Sequence, residues 1–182
     1  TKPIGLAGVI GGLDDSVTPR TTMVALELAH WDPVSVCKTA KRHGVLTDAH
    51  TRFERGVDPN LPPLASARAA QLIAELGGGT VHPGLTEVGG DITRDVILFR
   101  PSRVEFLTTL AVPLDQQERY LTALGCTVAK GGDAWTVTPP SWRFDLSAEP
   151  DLIEEVARLY GYEHIGLNIP VMTFVPTGAD TT

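Results

Sequence analysis

The sequence predicts an α+β chain of two modules, of which the second is a small winged-helix-like domain of three helices and a hairpin. Three features support this prediction. Apolar strand-like runs alternate with segments of helical periodicity, glycines at 84, 89 and 90 mark a boundary, and 182 residues that are 42% hydrophobic can bury two cores. We therefore expect domains at 1–90 and 91–166, followed by a linker at 167–182.

The first strand-like run is GLAGVIGG, at residues 5–12. Its glycines do not form a phosphate-cradling loop, because neither the GxGxxG order nor a following Lys-Ser or Lys-Thr is present. We expect them to allow a turn or a close approach of the backbone to a ligand.

A second apolar run, MVALELAHW, predicts a buried strand that is interrupted by Glu27, between Leu26 and Leu28. A buried carboxylate is costly unless it is paired. Glu27 therefore either faces solvent on an alternating strand, which the residues alone favour, or sits in a pocket with a defined partner.

Residues 38–55 form a basic segment with five Lys or Arg, two His and two acids. Such a segment is typical of a solvated helix and loop face, or of a patch beside a phosphate-bearing ligand. The next segment predicts a helix, because prolines precede it and glycines follow from Gly77 onwards. The apolar face of this helix comprises Ala65, Ala69, Leu72, Ile73 and Leu76.

The second module opens with a predicted strand, DVILFR, at 95–100. Capping boxes at 102–105 and 115–118 predict two short helices, the second of which ends at Gly125. The run CTVAKGGDAWTVTPP then predicts a hairpin that turns at 131–133.

The last predicted helix carries an acidic stretch, RFDLSAEPDLIEEVARLYGY, at 143–162. Pro150 suits its first turn and Gly161 its C-terminal end. Acids in a first turn complement the helix dipole, but carboxylates one turn apart repel each other. The residues alone leave three explanations open: solvated acids, cations of a partner protein, or a hard metal ion such as Mg²⁺.

The net charge of −7 is uneven, at −1 for residues 1–90 and −6 for residues 91–182. The acidic second half argues against sequence-independent nucleic-acid binding there. Cys37 and Cys126 show no metal-ligand spacing, and we expect free thiols rather than a disulfide. No apolar run reaches the roughly 18 residues of a membrane span, and no signal peptide is visible. The chain begins at Thr1 without an initiator Met, so we expect an excerpt of a longer polypeptide.

Four motifs in this order carry a resemblance to a known family: GLAGVIGG, LELA, RHGVLTDAHTRFERGVDP and VTPPSWRFDLSAEPDLIEEVARLYGY. From residue 3 to about residue 166, the chain resembles the β subunit of bacterial phenylalanyl-tRNA synthetase. The resemblance implies that the first half is the C-terminal portion of an α/β tRNA-editing domain, and that the second half is the winged-helix-like domain that follows it. It also implies a cytoplasmic α₂β₂ enzyme that binds ATP, phenylalanine and tRNA, charges the tRNA with phenylalanine and hydrolyses tyrosine misattached to it. Aminoacylation itself would belong to the α subunit.

The resemblance also assigns an editing pocket. Glu27 matches the family's glutamate that reads the tyrosine hydroxyl, Gly11 matches a glycine of the GG pair, and Thr47 and Ala49 match the small residues of the TDA motif. Because the family's pocket histidine would lie upstream of Thr1, we expect no catalytic residue in this chain and no editing by this half-pocket alone.

Two further expectations follow from the family pattern. Where the family usually has Ser, this chain has His50, which either contacts tRNA phosphate or, as we expect, points to solvent. The pattern assigns Mg²⁺ ligands at the contact with the α subunit and leaves Glu149 as an ordinary first-turn acid. The assigned ligands are Asp145, Asp151, Glu154 and Glu155.

A rival interpretation belongs to another class, a non-catalytic interaction module or a winged-helix-like module that binds duplex DNA. The acidic second half disfavours the DNA version, because phosphate contacts require Lys and Arg. Steeply salt-dependent duplex binding by residues 91–182 would revive it.

Overall fold

The computed structural model describes residues 2–89 and 92–166, which fall into two compact units. The first unit contains residues 2–89, 92–97 and 138–147, and the second contains 98–137 and 148–166. The expected linker at 167–182 lies outside the described residues.

The first unit contains a short hairpin and three helices. Its strands, β1 (Gly5–Leu6) and β2 (Ile10–Gly11), pair antiparallel with Gly5 opposite Gly11. Its helices are α1 (Pro33–His43), α2 (Asp48–Phe53) and α3 (Pro62–Gly77).

Two strand predictions for the first unit are wrong. GLAGVIGG is a hairpin and not a single strand, because Gly8 adopts a φ of 68° and reverses the chain between β1 and β2. MVALELAHW forms no strand, since a strand needs a hydrogen-bonded neighbour and no described strand pairs with residues 23–31.

Helix α1 is defined at both ends by its sequence. The Asp32 side chain accepts a hydrogen bond from the Ser35 amide at 2.8 Å, and Gly44 ends the helix with a φ of 64°. The helix places Val36 and Ala40 in a small core with Val9. Partly buried apolar side chains that pack against this core are Leu6, Trp31, Val45 and Phe53.

Helix α3 confirms the predicted helix between the prolines and the glycines, and Gly78 ends it with a φ of 64°. Its predicted apolar face is only partly covered within the described residues. Ile73 remains 45% exposed and Leu76 84% exposed. The periodicity therefore predicted the helix correctly, but not the depth of its burial.

The second unit contains the predicted succession of helix, helix, hairpin and helix. Its elements are β3 (Ile97–Phe99), α4 (Ser102–Thr108), α5 (Leu114–Ala123), β4 (Thr127–Ala129), β5 (Trp135–Thr138) and α6 (Glu149–Tyr160). The strands form one sheet in the order β3-β5-β4, so the strand predicted from DVILFR joins the hairpin. The α+β class is confirmed.

The two predicted capping boxes are wrong, although the helices that they predicted exist. Helix α4 begins at Ser102 itself and α5 at Leu114, each directly after a proline, and neither has a side-chain cap. Proline occupies the N-cap position of both helices, so the residues that were expected to cap them, Ser102 and Asp115, lie within the first turn instead.

The core of the second unit lies between the sheet and the three helices. Phe99 and Trp135 meet there with ring centroids 5.7 Å apart. Other buried side chains of this core are Val104, Leu110, Leu121, Val137, Leu152, Ile153 and Val156. The expectation of free thiols is confirmed for both Cys37 and Cys126. Among the described helices, none is long and apolar enough to cross a membrane.

Candidate functional site

The first unit contains a cavity of about 530 Å³. The β1–β2 hairpin forms one wall, the segment at 27–31 a second, and α2 with the start of α3 the remainder. Its lining is almost wholly apolar and includes Leu6, Val9, Ile10, Leu28, Trp31, Phe53, Val57 and Leu61. A cavity of this volume suits a group the size of an amino acid or a small ligand.

Two glycines of the hairpin serve different purposes. A Cβ atom at Gly8 would come within 2.8 Å of Val36 Cγ2 and 3.0 Å of Trp31 Cδ1, so this position allows close packing against the core. A Cβ atom at Gly11 would meet nothing within 4 Å. The absent side chain of Gly11, which lines the cavity, therefore leaves open space.

Glu27 provides the only charged side chain among the described residues that line the cavity. It is exposed, and within the described residues it has no hydrogen-bond or ion-pair partner. The sequence left open whether Glu27 faces solvent or lies in a pocket. In the structure it does both, because it is solvent-accessible and lines the cavity. A carboxylate in this position can accept a hydrogen bond from a ligand hydroxyl.

Thr47 does not line the cavity but connects two of its walls. Its hydroxyl donates to the Val9 carbonyl at 2.6 Å and accepts from the His50 amide at 3.1 Å, which makes Thr47 the N-cap of α2. The cap fixes α2 against the hairpin, so that Ala49 and Phe53 reach the cavity. Thr47 is thus a positioning residue.

The expectation that His50 points to solvent is wrong. The side chain is buried, with 6% of the residue exposed, because α2 turns this position inward. Nε2 lies 3.1 Å from Glu54 Oε2, and Nδ1 has no partner among the described residues. His50 is therefore placed to brace α2 internally.

The four predicted magnesium ligands are divided between the two units. Asp145 belongs to the first unit, where the Arg143 guanidinium donates to both of its carboxylate oxygens, at 2.9 Å from Nε and 2.6 Å from Nη2. These hydrogen bonds hold the pKa of Asp145 below its usual range. Asp145 is therefore ionised and paired.

Asp151, Glu154 and Glu155 lie on α6 in the second unit. Asp151 Oδ2 accepts a hydrogen bond from the Ala148 amide at 2.8 Å, which closes the first turn of the helix, and Glu155 pairs with Arg158. Glu154 is exposed.

These carboxylates have the oxygen donors that Mg²⁺ prefers. Within either unit, however, no group of three or more His, Cys, Asp or Glu side chains in the described parts is arranged to hold a metal ion. Asp145, Asp151 and Glu155 are already engaged with an arginine or an amide, so a magnesium ion would have to compete with these partners, and the magnesium site stays a prediction.

Glu149 is not the ordinary first-turn acid that the family pattern suggested. Its carboxylate accepts from the backbone amide, Nε and Nη2 of Arg100 at 2.8, 3.0 and 2.6 Å, and from Arg103 Nη1 at 3.0 Å. Only 10% of the side chain is exposed, and the Arg100 hydrogen bonds hold the pKa of Glu149 below its usual range. Glu149 therefore joins α6 to the segment that follows β3.

Sequence reasoning missed two residues that shape these regions. Trp31 lines the cavity and packs against the core, and its position at the end of the apolar run was the only available signal. Arg94 donates from Nη2 to the carbonyl oxygens of Arg143 and Leu146, at 2.9 and 2.8 Å, and its guanidinium carbon lies 5.9 Å from the centre of the Phe144 ring. No local pattern identifies this contact, because it spans about fifty residues of sequence.

Two family matches cover most of the chain. The B3/4 domain family matches residues 1–78, and the tRNA synthetase B5 domain family matches residues 97–162. The cavity therefore lies within the B3/4 match, whereas α4, α5, α6 and the three-stranded sheet coincide with most of the B5 match.

Similar proteins align with most of the chain. The chain is 48% identical over 164 residues to a phenylalanine–tRNA ligase beta subunit from Salinibacter ruber, covering 90% of this chain and 20% of that protein. It is 43% identical over 171 residues to the phenylalanine–tRNA ligase beta subunit of Bifidobacterium longum, covering 93% of this chain and 20% of that protein. The chain thus spans about a fifth of the length of these curated relatives. With a B3/4 region followed by a B5 domain, the chain belongs to the phenylalanyl-tRNA synthetase β-subunit family.

Proposed function

We propose that this chain is part of the β subunit of an α₂β₂ enzyme that charges tRNA with phenylalanine at the expense of ATP. We further propose that its first unit contributes part of the site that hydrolyses tyrosine misattached to that tRNA. The observation that carries this proposal is the position of Glu27, a single carboxylate on an otherwise apolar cavity.

Tyrosine and phenylalanine differ by one hydroxyl, and an apolar pocket rejects an added hydroxyl only weakly. A second site that hydrogen-bonds this hydroxyl can discriminate far more strongly, because a ligand without it leaves the polar group of the site unsatisfied. Glu27 is suited to that role, since it lines the cavity and has no competing partner among the described residues. The apolar walls and the open space at Gly11 accommodate the ring.

The described residues supply selection and not a nucleophile. No Ser, Cys or Thr side chain lines the cavity within the described residues, and the Thr47 hydroxyl donates to Val9. In the proposed reaction, a water molecule attacks the ester carbonyl, and the ester C–O bond breaks to release tyrosine and the free 3′ end of the tRNA. We expect other parts of the enzyme to supply the groups that stabilise the oxyanion.

Membership of the family supports proposals for the partner subunit and the cellular location. The relatives are beta subunits of a ligase, which supports an α subunit as the partner, and an enzyme that acts on tRNA in translation supports a cytoplasmic location. ATP and phenylalanine would be bound by the whole enzyme. We expect the second unit to serve subunit assembly.

The magnesium ion stays a prediction. To bind it, Asp145 would have to exchange its Arg143 partner for a cation, and Asp151 would have to release its helix cap. Equilibrium dialysis of the assembled enzyme with Mn²⁺ as the probe tests this, with Glu154→Gln as the variant and Glu163→Gln as an exposed control. A site that Glu154→Gln does not weaken would exclude the predicted ligand set.

The editing proposal is tested by Glu27→Ala and Glu27→Gln in the full heterotetramer, with Glu75→Gln on α3 as the matched control. We expect release of tyrosine from tyrosyl-tRNA specific for phenylalanine to fall by about 100-fold, since loss of hydroxyl recognition can cost more than this at a dedicated site. Charging with phenylalanine should not change. If tyrosine release persists in both Glu27 variants, Glu27 does not read the hydroxyl and the proposal is wrong.

A further inference from the structure

The solvent-facing side of α1 carries three cations at helical spacing: Lys38, Lys41 and Arg42. At 100° per residue, these positions lie opposite Val36 and Ala40, which are buried in the core. We call the three residues the basic stripe. All three are exposed, and none forms an ion pair within the part of the chain that the structure describes.

Asp32 attracts Lys38 electrostatically, but no further acidic residue balances this stripe along the chain. The sequence contains no Asp or Glu between Asp32 and Asp48, and the Asp32 carboxylate is engaged in capping α1 through the Ser35 amide. Other helices pair their charges internally, as Arg119 does with Asp115 on α5 and Arg158 with Glu155 on α6. Like charges at three- and four-residue spacing repel each other, and on α1 the attraction between Asp32 and Lys38 offsets this repulsion at one position only.

The helix dipole explains only part of this arrangement. Cations in a last turn are favourable, and this accounts for Lys41 and Arg42, but the effect falls off beyond the terminal turn and does not include Lys38. A polyanion that follows the stripe would account for all three positions. The chain as a whole has a net charge of −7, so the stripe is a local cationic surface and not part of a generally basic protein.

From this surface we infer that the basic stripe of α1 binds the phosphate backbone of the tRNA whose aminoacylated end enters the cavity. The inference rests on the proposed function. The cavity, at about 530 Å³, holds little more than the amino acid and its ester, so the polynucleotide must lie on outer surfaces of the enzyme. The stripe belongs to the same unit as the cavity and has the charge that phosphates require.

The test compares two double variants of the full heterotetramer with the same change in net charge. Lys41→Gln with Arg42→Gln neutralises two members of the stripe, and Arg20→Gln with Arg68→Gln removes two exposed cations elsewhere in the first unit. Glutamine retains good helix propensity, and circular dichroism of each variant checks that the fold is kept.

We call Lys41→Gln with Arg42→Gln the stripe pair, and Arg20→Gln with Arg68→Gln the control pair. We expect the stripe pair to raise the KM for tyrosyl-tRNA deacylation by about tenfold with kcat unchanged. The slope of log KM against log salt concentration should fall in magnitude by about 2, close to one for each phosphate contact removed. The control pair should leave both quantities as they are. If the stripe pair behaves like the control pair, the inference is overturned.

Glu27→Ala, measured in parallel, separates this inference from the proposed function. Loss of tyrosine release in Glu27→Ala, together with equal salt slopes for the two pairs, overturns the stripe and leaves the editing proposal intact. If Glu27→Ala still releases tyrosine at the full rate, the editing proposal fails. Filter binding of uncharged tRNA then tests the stripe, by comparing the salt dependence of tRNA affinity between the stripe pair and the control pair. A stripe pair that loosens the heterotetramer in sedimentation without changing tRNA binding would make the stripe a protein contact and overturn the inference.

Discussion

Two carboxylates, Glu149 in the second unit and Glu27 in the first, have opposite surroundings. In the second unit, Glu149 is almost buried and receives four hydrogen bonds from Arg100 and Arg103, beside a closed apolar core. In the first unit, Glu27 is exposed on an open cavity and has no partner among the described residues. A carboxylate whose bonding is satisfied internally stabilises a fold, whereas one that lacks a partner is available to a ligand.

The largest expected difference between the units concerns the core. Leu152→Ala should lower the free energy of unfolding of the second unit by about 2 to 5 kcal/mol, because Leu152 is fully buried and its loss leaves a cavity. Leu64→Ala on α3, where the leucine is 71% exposed, should change the free energy by less than about 0.5 kcal/mol. Hydrogen exchange followed by mass spectrometry reports on each unit separately. Equal losses of stability in the two variants would contradict the expected difference between a buried and an exposed leucine.

The next largest effect is expected at Glu149. Glu149→Gln should destabilise the second unit by about 2 to 4 kcal/mol, because two arginines, each about half to two-thirds buried, lose their anionic partner. Urea denaturation of both proteins at neutral pH measures the difference. A variant as stable as the parent would show that the hydrogen bonds of Glu149 make no net contribution to the free energy of unfolding.

This effect should depend on pH in a defined direction. The pKa of Glu149 is lowered in the folded state by the Arg100 hydrogen bonds, so its contribution is complete above the ordinary pKa of glutamate, about 4.3. The contribution should disappear as the pH falls from there through the lowered folded-state pKa. The parent and Glu149→Gln should therefore approach equal stability at the acid end, and a constant difference would contradict the assignment.

A smaller effect is expected in the hairpin that forms one wall of the cavity. Gly8→Ala should destabilise the first unit by about 1 to 3 kcal/mol, because the position has a φ of 68° and the added Cβ would meet Val36 at 2.8 Å. Gly11→Ala, with nothing within 4 Å, should leave stability unchanged within about 0.5 kcal/mol. Thermal unfolding distinguishes the two, and equal losses would mean that the hairpin geometry is not as described.

The smallest effect is expected at the exposed ion pair of Lys2 with Asp14. The two atoms lie 2.6 Å apart, but the side chains are 63% and 73% exposed. Lys2→Gln should therefore cost less than about 0.5 kcal/mol, and the difference should shrink further in high salt. If Lys2→Gln lost as much stability as Glu149→Gln, solvent exposure would not explain the different strengths of these two ion pairs.

Local sequence patterns were sufficient for three elements whose structure depends on neighbours along the chain. The helix of α3, the helix of α6 from its proline to Gly161, and the hairpin of β4 and β5 were all predicted from periodicity and turn residues. The same logic failed where a local signal competed with another, as when prolines displaced the capping boxes of α4 and α5.

The cavity was predicted in part. The family resemblance indicated Gly11, Glu27 and Ala49, and the structure places all three on one cavity; Thr47 lies behind it as the N-cap of α2. No pattern indicated that His50 would be buried or that Trp31 would form a wall, because both depend on how α2 and the hairpin pack.

By itself, the sequence determined the family, the α+β class and the positions of most helices, since these are encoded in spacings of a few residues. Only the tertiary structure decided which charges meet. The arginines of the acidic stretch itself are Arg143 and Arg158. Glu149 is instead held by Arg100 and Arg103, which precede it by 49 and 46 residues. Spacings of three or four residues are read from helical geometry, but a contact that closes a loop of nearly fifty residues depends on the packing of the whole unit.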